Sequence, residues 1–414
     1  MKCTVNNDVV LARPLEGPLS AYIPGFAQWT REQGYAFPTR RQKVHLAGCF
    51  SRWLGQQVAN MHRRVGPEHA ARYLRYRARH VQIQADDAFT LKQFFDFLRR
   101  QGVLPAEKIP SPRLSPVEQA LHAFKCYLRE ERMLREASAM SYLPSVRRFL
   151  ADRFGDRPVR LSRLCAGDVV RFVQHQAQRL QSRSAAQMLT TALRSFLHYA
   201  RYLGQIKCDL ASAVPTVANW SMPSVPRAIA AGAARRLLVS INRRTATGRR
   251  DYAILLLLAR LGLRASEVVR LELEDIDWNA GSVTVQGKGG RRSVLPLPAD
   301  VGSTIVMYLR HGRPRCSCRR IFLRTKAPIR GLFGNQAIAS IVRHNLVRAG
   351  IQAPTYGAHQ FRHALATEML HHGASLAEIG QVLRHRSPES TKIYTKVDLD
   401  SLRALALPWP GGAR

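Results

Sequence analysis

Apolar positions recur at helical spacing through most of the 414 residues, and clear alternation is confined to one short region. In the first block, Val44, Leu46, Phe50, Trp53 and Leu54 mark a helix over 41–57. Thr90 reads as the N-cap of a second helix over 91–100. The stretch 72–79 alternates Arg with Tyr and Leu, either a phosphate-tracking face with aromatic interleaving or, as favoured here, a solvated helix face. In the second block Ser115 and Pro116 open a helix that runs to about Arg132. Further helices are expected over 138–154, with Pro144 inside and Gly155 as its stop, over 166–180, and over 184–203, ended by Gly204.

The third block predicts helices over 230–241, 250–261, 335–349, 360–371, 376–383 and 398–405. Its β-rich runs, 282–286 and 292–297, flank Gly287-Lys288-Gly289-Gly290 and predict an antiparallel hairpin, with 321–323 as a third strand. Two proline-bearing stretches, 104–116 and 208–226, separate the blocks. The expected organisation is an N-terminal helical extension over 1–110, a helical domain over 115–205 and an α+β domain over 225–414. The fold class is mainly α with a small antiparallel β-sheet.

Charge changes the picture. Lys and Arg number 64 against 28 Asp and Glu, a formal net charge of +36. Such an excess repels itself in a compact chain, so a polyanionic partner is expected, although Arg-rich coding bias on a solvated surface would read alike. Arg147, Arg148, Arg171, Arg179, Arg183, Arg194 and Arg201 fall on the polar faces of the second block, as a DNA clamp would need. A protein-binding bundle is the bland alternative. The seven cysteines are odd in number and mostly scattered, which fits a reducing cytosol rather than a disulfide framework. Cys316 and Cys318 lack a second ligand pair, so no metal is expected there. No signal peptide is read at the N-terminus, and the longest apolar run, Ala253 to Ala259, is too short to span a bilayer.

The candidate chemistry lies in the third block. In LGLRASEVVR a helix stops at Gly262, Arg264 follows in the turn, Ser266 is placed to cap the next helix, and Glu267 sits in its first turn. Alone, Arg-x-x-Glu is usually a surface ion pair. Lys288 occupies the hairpin turn, where the P-loop spacing is absent; alone, a hairpin Lys is usually idle. His359 and Arg362 share one side of a helix start. His359 and His363 have the spacing of a zinc helix, but Gln360 replaces the Glu that metalloprotease chemistry requires. His385 lies in a polar turn before Ser387-Pro388, and Tyr394 follows. A lone Tyr is core or surface by default; as a nucleophile it needs its proton removed and its target phosphate neutralised.

Taken in order, Arg264, Lys288, His359, Arg362, His385 and Tyr394 form a specific pattern, and residues 115–407 resemble the tyrosine recombinase (phage integrase-type) family. LGLRASEV resembles the first-arginine box, GKGGRRSVLPL the hairpin lysine, HQFRHALAT the His-x-x-Arg box with Phe361 in place of Leu, and LRHRSPESTKIYTKV the final box. Arg384 departs from the pattern, because Gly usually precedes that histidine. A side chain there either crowds the phosphate or adds a cation.

The resemblance implies that 115–205 is a core-binding domain and 225–414 the catalytic domain. Tyr394 would attack the scissile phosphate to form a 3′-phosphotyrosyl link and release a 5′-hydroxyl. Arg264 and Arg362 would hold the non-bridging oxygens with a hydrogen bond from His385. Lys288 would protonate the leaving oxygen, His359 would assist proton handling at Tyr394, and Glu267 would support the site. Neither metal nor cofactor is needed. The implied partners are two double-stranded DNA sites and a homotetramer, with the helix over 398–405 docked on a neighbour. A mobile-element integrase acting beside sibling recombinases, cytoplasmic and nucleoid-associated, is the implied setting. The alternatives are a type IB topoisomerase, which relaxes one duplex, and a non-catalytic DNA-binding regulator.

Overall fold

The computed structural model describes residues 3–5, 9–11, 14–57, 65–105, 114–180, 182–217, 228–230, 232–287, 290–353 and 355–397. The chain forms two compact units, 1–104 together with 222–414, and 105–221. The first unit contains separate hydrophobic cores for its N-terminal and C-terminal stretches, rather than one continuous core.

The N-terminal stretch pairs β1 (Cys3–Val5) with β2 (Val9–Leu11) and continues through α1 (Ile23–Glu32), α2 (Phe37–Gln57), α3 (Pro67–Ala78) and α4 (Asp87–Arg100). Phe26, Phe50, Phe94 and Leu98 are fully buried, and the rings of Phe26 and Phe94 meet at 4.9 Å. Thr90 does not cap α4, which begins at Asp87. Its hydroxyl instead accepts a hydrogen bond from the buried Lys43 at 2.9 Å, while Asp86 takes the same ammonium at 2.6 Å. A buried cation needed those oxygens more than the helix end did.

The second unit is a four-helix arrangement of α5 (Pro116–Glu130), α6 (Glu136–Phe154), α7 (Ala166–Arg179) and α8 (Arg183–Tyr202). Ser115 caps α5 by accepting from the Glu118 N–H at 3.2 Å, and Pro116 sits at N1, where its missing N–H costs nothing. Phe124 and Phe196 meet edge to face at 5.3 Å in the core. Arg148, Arg179 and Arg183 are exposed, whereas Arg147 is paired with Glu118. Arg194 departs from expectation. It is half-buried and donates to the carbonyls of Val214 and Pro215 at 2.9 and 3.1 Å, so it ties down the chain after α8.

The C-terminal stretch is built around α10 (Ala246–Leu261), which follows α9 (Ala233–Ser240). Its residues 253–258 are all buried, each contributing about 1–3 kcal/mol of apolar burial. Then come α11 (Ala265–Arg270), β3 (Ile276–Asp277), β4 (Ser282–Gln286), β5 (Arg292–Pro296), α12 (Ala299–His311), α13 (Gly334–Arg348), α14 (His359–His371) and α15 (Leu376–Val382). Two short 3-10 turns, Pro388–Ser390 and Lys392–Val397, finish the described chain. The sheet order is β3-β4-β5, all antiparallel, with Gln286 opposite Arg292 at the hairpin end.

The third strand is therefore Ile276–Asp277 and not 321–323. Within the latter Leu323 makes an isolated bridge with Gly331, and the adjoining Arg320 makes another with Glu272. α12 was not anticipated by the apolar pattern. The N-terminal stretch meets the C-terminal one where the Ile329 N–H donates to the Gln33 carbonyl at 2.9 Å. The expected helix over 398–405 lies outside the described residues.

Candidate active site

α10 ends at Gly262, whose φ of +56° turns the chain sharply and leaves its carbonyl at the helix C-terminus. A Cβ at this glycine would meet Leu383 and Leu365 at 2.9 and 3.0 Å, so the tight approach of α14 and α15 also requires it. Arg264, two residues on, is itself the N-cap residue of α11; Ser266 lies inside the helix and does not cap it. The Glu267 carboxylate folds back to accept the Arg264 backbone N–H at 2.9 Å and its Nη1 at 2.7 Å. Glu267 is 1% exposed. Its Oε2 also accepts from Arg384 Nη2 at 2.9 Å, so one buried carboxylate bridges two guanidinium groups.

Arg362 projects from the first turn of α14 and is 4% exposed. Its Nη1 donates to the Gly262 carbonyl at 2.7 Å and its Nη2 to the Leu383 carbonyl. Those carbonyls terminate α10 and α15, where the helix dipole is negative and suits a cation. Burial, with Arg264 and Arg384 nearby, presses the Arg362 pKa down to about 10, so the group stays cationic at neutral pH. The carbonyl of Arg384 accepts from Arg264 Nη2 at 3.4 Å. Consecutive carbonyls thus hold the two expected grip arginines.

Tyr394 is 1% exposed, and burial pushes its phenol pKa up. Its hydroxyl lies 3.0 Å from His363 Nδ1. His385 stacks on the Tyr394 ring at 6.3 Å, nearly parallel, and its Nδ1 lies 2.7 Å from the Thr391 hydroxyl. If the hydroxyl donates there, Nε2 carries the proton and is free to donate outward. Burial and the charges of Arg362 and Arg264 lower the His385 pKa to about 4. His359 is exposed at the start of α14 and its ring lies 6.3 Å from that of His363. Partial desolvation and the same two arginines lower its pKa, and burial followed by His359 lowers that of His363. All three imidazoles are held toward the neutral form.

The structure therefore brings Arg264, Glu267, Arg362, His385 and Tyr394 together. Lys288 lies outside the described residues. The hairpin end does reach the site: a Cβ at Gly287 would lie 3.9 Å from Glu267 Oε1. Among the described residues, no three His, Cys, Asp or Glu side chains converge as a metal set.

Sequence reasoning weighed His363 only as a zinc ligand. The residue in contact with the tyrosine hydroxyl is His363, not His359. The helical spacing put both histidines on one face, but only the fold of residues 388–397 selects between them. Thr391 gave no signal beyond its place three residues before Tyr394. Chemically, three guanidinium groups against one carboxylate form a partly buried cluster with cationic excess, which is a binding place for an anion. Beside it lies a phenol hydrogen-bonded to a neutral imidazole.

Two family models match the chain: the phage integrase family over residues 229–400, and the phage integrase N-terminal SAM-like domain over 121–202. A Sinorhizobium fredii protein named as an integrase/recombinase, y4rA, is 52% identical over 414 residues, covering all of both chains. The tyrosine recombinase XerD of Listeria innocua serovar 6a is 29% identical over 56% of this chain and 77% of its own. Among solved structures, the XerH site-specific recombinase bound to a palindromic difH substrate in a post-cleavage complex superposes with a TM-score of 0.55. It is 16% identical and covers 83% of this chain and 97% of its own, a likeness of fold.

Proposed function

This chain belongs to the phage integrase family of tyrosine recombinases, and from that premise we propose that it cleaves and rejoins duplex DNA through Tyr394. The observation that carries the reading is the largely buried cationic cluster of Arg264 and Arg384 on Glu267 with Arg362 beside them, and the Tyr394 hydroxyl held on His363. Arg264 and Arg362 grip the non-bridging oxygens of the scissile phosphate, and His385, oriented by Thr391, donates a hydrogen bond from Nε2. Phosphoryl transfer asks mainly for such positioning and charge stabilisation.

As Tyr394 Oη bonds to phosphorus, its proton passes to His363 Nδ1, which is neutral and within reach. The bond to the 5′ oxygen breaks, and Lys288 on the hairpin supplies the proton that makes the 5′-hydroxyl. His359, at the start of α14 with its ring beside that of His363, assists proton handling at Tyr394. The 3′-phosphotyrosyl link conserves the energy of the broken diester, so rejoining requires neither nucleotide nor metal.

The exposed Arg148, Arg179 and Arg183 of the second unit support a core-binding role for 115–205, with the N-terminal stretch as an accessory domain and 225–414 as the catalytic domain. The substrates are two recombination sites held by a tetramer of this chain, with or without sibling recombinases. The integrase/recombinase name of the full-length relative supports service to a mobile element, on DNA in the bacterial cytoplasm and nucleoid.

The test is covalent trapping. Purified protein is incubated with DNA flanking its own gene, quenched in SDS, and the cleavage positions are mapped. The wild type yields 3′-linked adducts in EDTA without ATP, and Tyr394→Phe yields none while still shifting the DNA. Adducts from the Phe variant, or loss of wild-type adducts on chelation, overturn the assignment.

A further inference from the structure

Residue 384 has φ +53°, in the left-handed region that favours glycine, yet it is arginine. A side chain in that conformation is strained, and such strain persists where the surroundings over-determine it. Its side chain does not escape to solvent. It is 12% exposed, its Nε is buried without a hydrogen-bond partner, and its carboxylate contact is Glu267 Oε2 at 2.9 Å. Strain, burial and an unmet donor all oppose an arginine here, and the contact with Glu267 is what opposes them in turn.

The opposite edge of the same carboxylate holds Arg264, at 2.7 Å. Without Arg384, Glu267 would sit 1% exposed against Arg264 alone and cancel its charge. With Arg384 present, the cluster of three guanidinium groups and one carboxylate keeps two net positive charges; without it, one. A phosphodiester carries one negative charge, and the five-coordinate arrangement reached during transfer carries two.

We propose that Arg384 is a positioning residue for phosphoryl transfer: it neutralises Glu267, so that Arg264 and Arg362 both act on the scissile phosphate with their full charge. The proposal rests on the recombinase reading above. It concerns how the transition-state charge is met, not whether Tyr394 is the nucleophile. Arg384 touches neither phosphate nor tyrosine in this account and acts through Glu267.

The experiment uses the full-length protein and a nicked suicide duplex built on the mapped cleavage position, made with the natural phosphate or with a neutral methylphosphonate there. Arg384→Gly suits the left-handed backbone and is expected to fold and bind DNA. It is expected to cleave the natural duplex about tenfold more slowly, less than the loss for deleting a direct oxyanion donor. On the methylphosphonate, which carries one charge fewer, its deficit shrinks to less than about twofold. Arg384→Lys retains most of the natural rate, and adding Glu267→Gln to Arg384→Gly recovers it in part. An Arg384→Gly rate equal to wild type on the natural duplex overturns the proposal. So does an equal deficit on both duplexes, which would mean the residue only shapes the turn. Absence of covalent product from the wild type itself would sink the recombinase reading instead.

Discussion

The two ends of α10 carry two buried charge networks of opposite design. Near its N-terminus, Asp251 Oδ1 accepts from Arg250 Nε and Nη2 at 2.9 and 2.7 Å, and Oδ2 accepts from Asn345 Nδ2 at 3.2 Å. Arg250 Nη1 completes the set on the Leu323 carbonyl at 3.2 Å. One cation meets one anion, and the network is closed. Past its C-terminus, Arg264 and Arg384 share one carboxylate, and the neighbouring Arg362 donates to two backbone carbonyls. Burial is similar at both ends: Asp251 is 4% exposed and Arg362 also 4%. A balanced network holds α10 to α13 and the chain at Leu323. An unbalanced one is tolerable only if an anion completes it during function.

The contrast makes graded predictions. The largest effect falls on catalysis at the open end. Arg362→Ala is expected to lower the rate of covalent-complex formation by about 10³-fold, measured on the nicked duplex, with a far smaller loss of DNA affinity. A parallel loss of affinity would mean that Arg362 serves binding alone. At the closed end the sign of the split reverses. Asp251→Ala strands a buried guanidinium and is expected to cost about 3 kcal/mol of stability, read from denaturant unfolding, while the rate per folded molecule is kept. A catalytic loss at full stability would erase the distinction between the ends.

Gly262→Ala is a smaller change placed between them. It puts a Cβ on a φ of +56° and within 3.0 Å of Leu383 and Leu365, and about 1–2 kcal/mol of stability is expected to be lost. Because the Gly262 carbonyl also holds Arg362, the cleavage rate should fall with it; an unchanged rate would show that Arg362 does not depend on this turn.

The smallest effect is on pH. His359, His363 and His385 all have folded pKa values below the ordinary 6.5, with His385 near 4. Between those values the unfolded chain binds more protons, so stability falls as pH drops from about 6.5 toward 4. The site is partly solvated, so a decline in Tm of only about 2–4 °C is expected. Double-stranded DNA supplies the missing negative charge and should flatten that slope in thermal scans. A His385→Gln chain with the same slope as wild type would remove this histidine from the explanation.

Parts of this were legible before any fold. The spacing of Arg264, Arg362, His385 and Tyr394 named side chains that the structure gathers, because each sits in a local motif of cap, helix start or turn. Most helices were legible too, since an amphipathic stripe is a local pattern. Other features were not. The third strand is a two-residue bridge whose pairing depends on β4, and it carries no alternation of its own. Thr90 looked like a cap until Lys43, 47 residues away, claimed its oxygen. Arg194 looked solvated until the segment after α8 folded back to receive it.

At the site the division follows the same physics. Residue type and local spacing are written in the chain, so sequence alone determined that cations, histidines and a tyrosine recur in a recombinase-like order, and that Arg384 stands out among them. Which imidazole reaches the tyrosine, and which carboxylate Arg384 meets, are settled by contacts between residues 31 and 117 positions apart. Such contacts exist only once α10, α14 and α15 have packed, because the burial that shifts a pKa and the geometry that forms a bond are properties of that packing and not of any one segment.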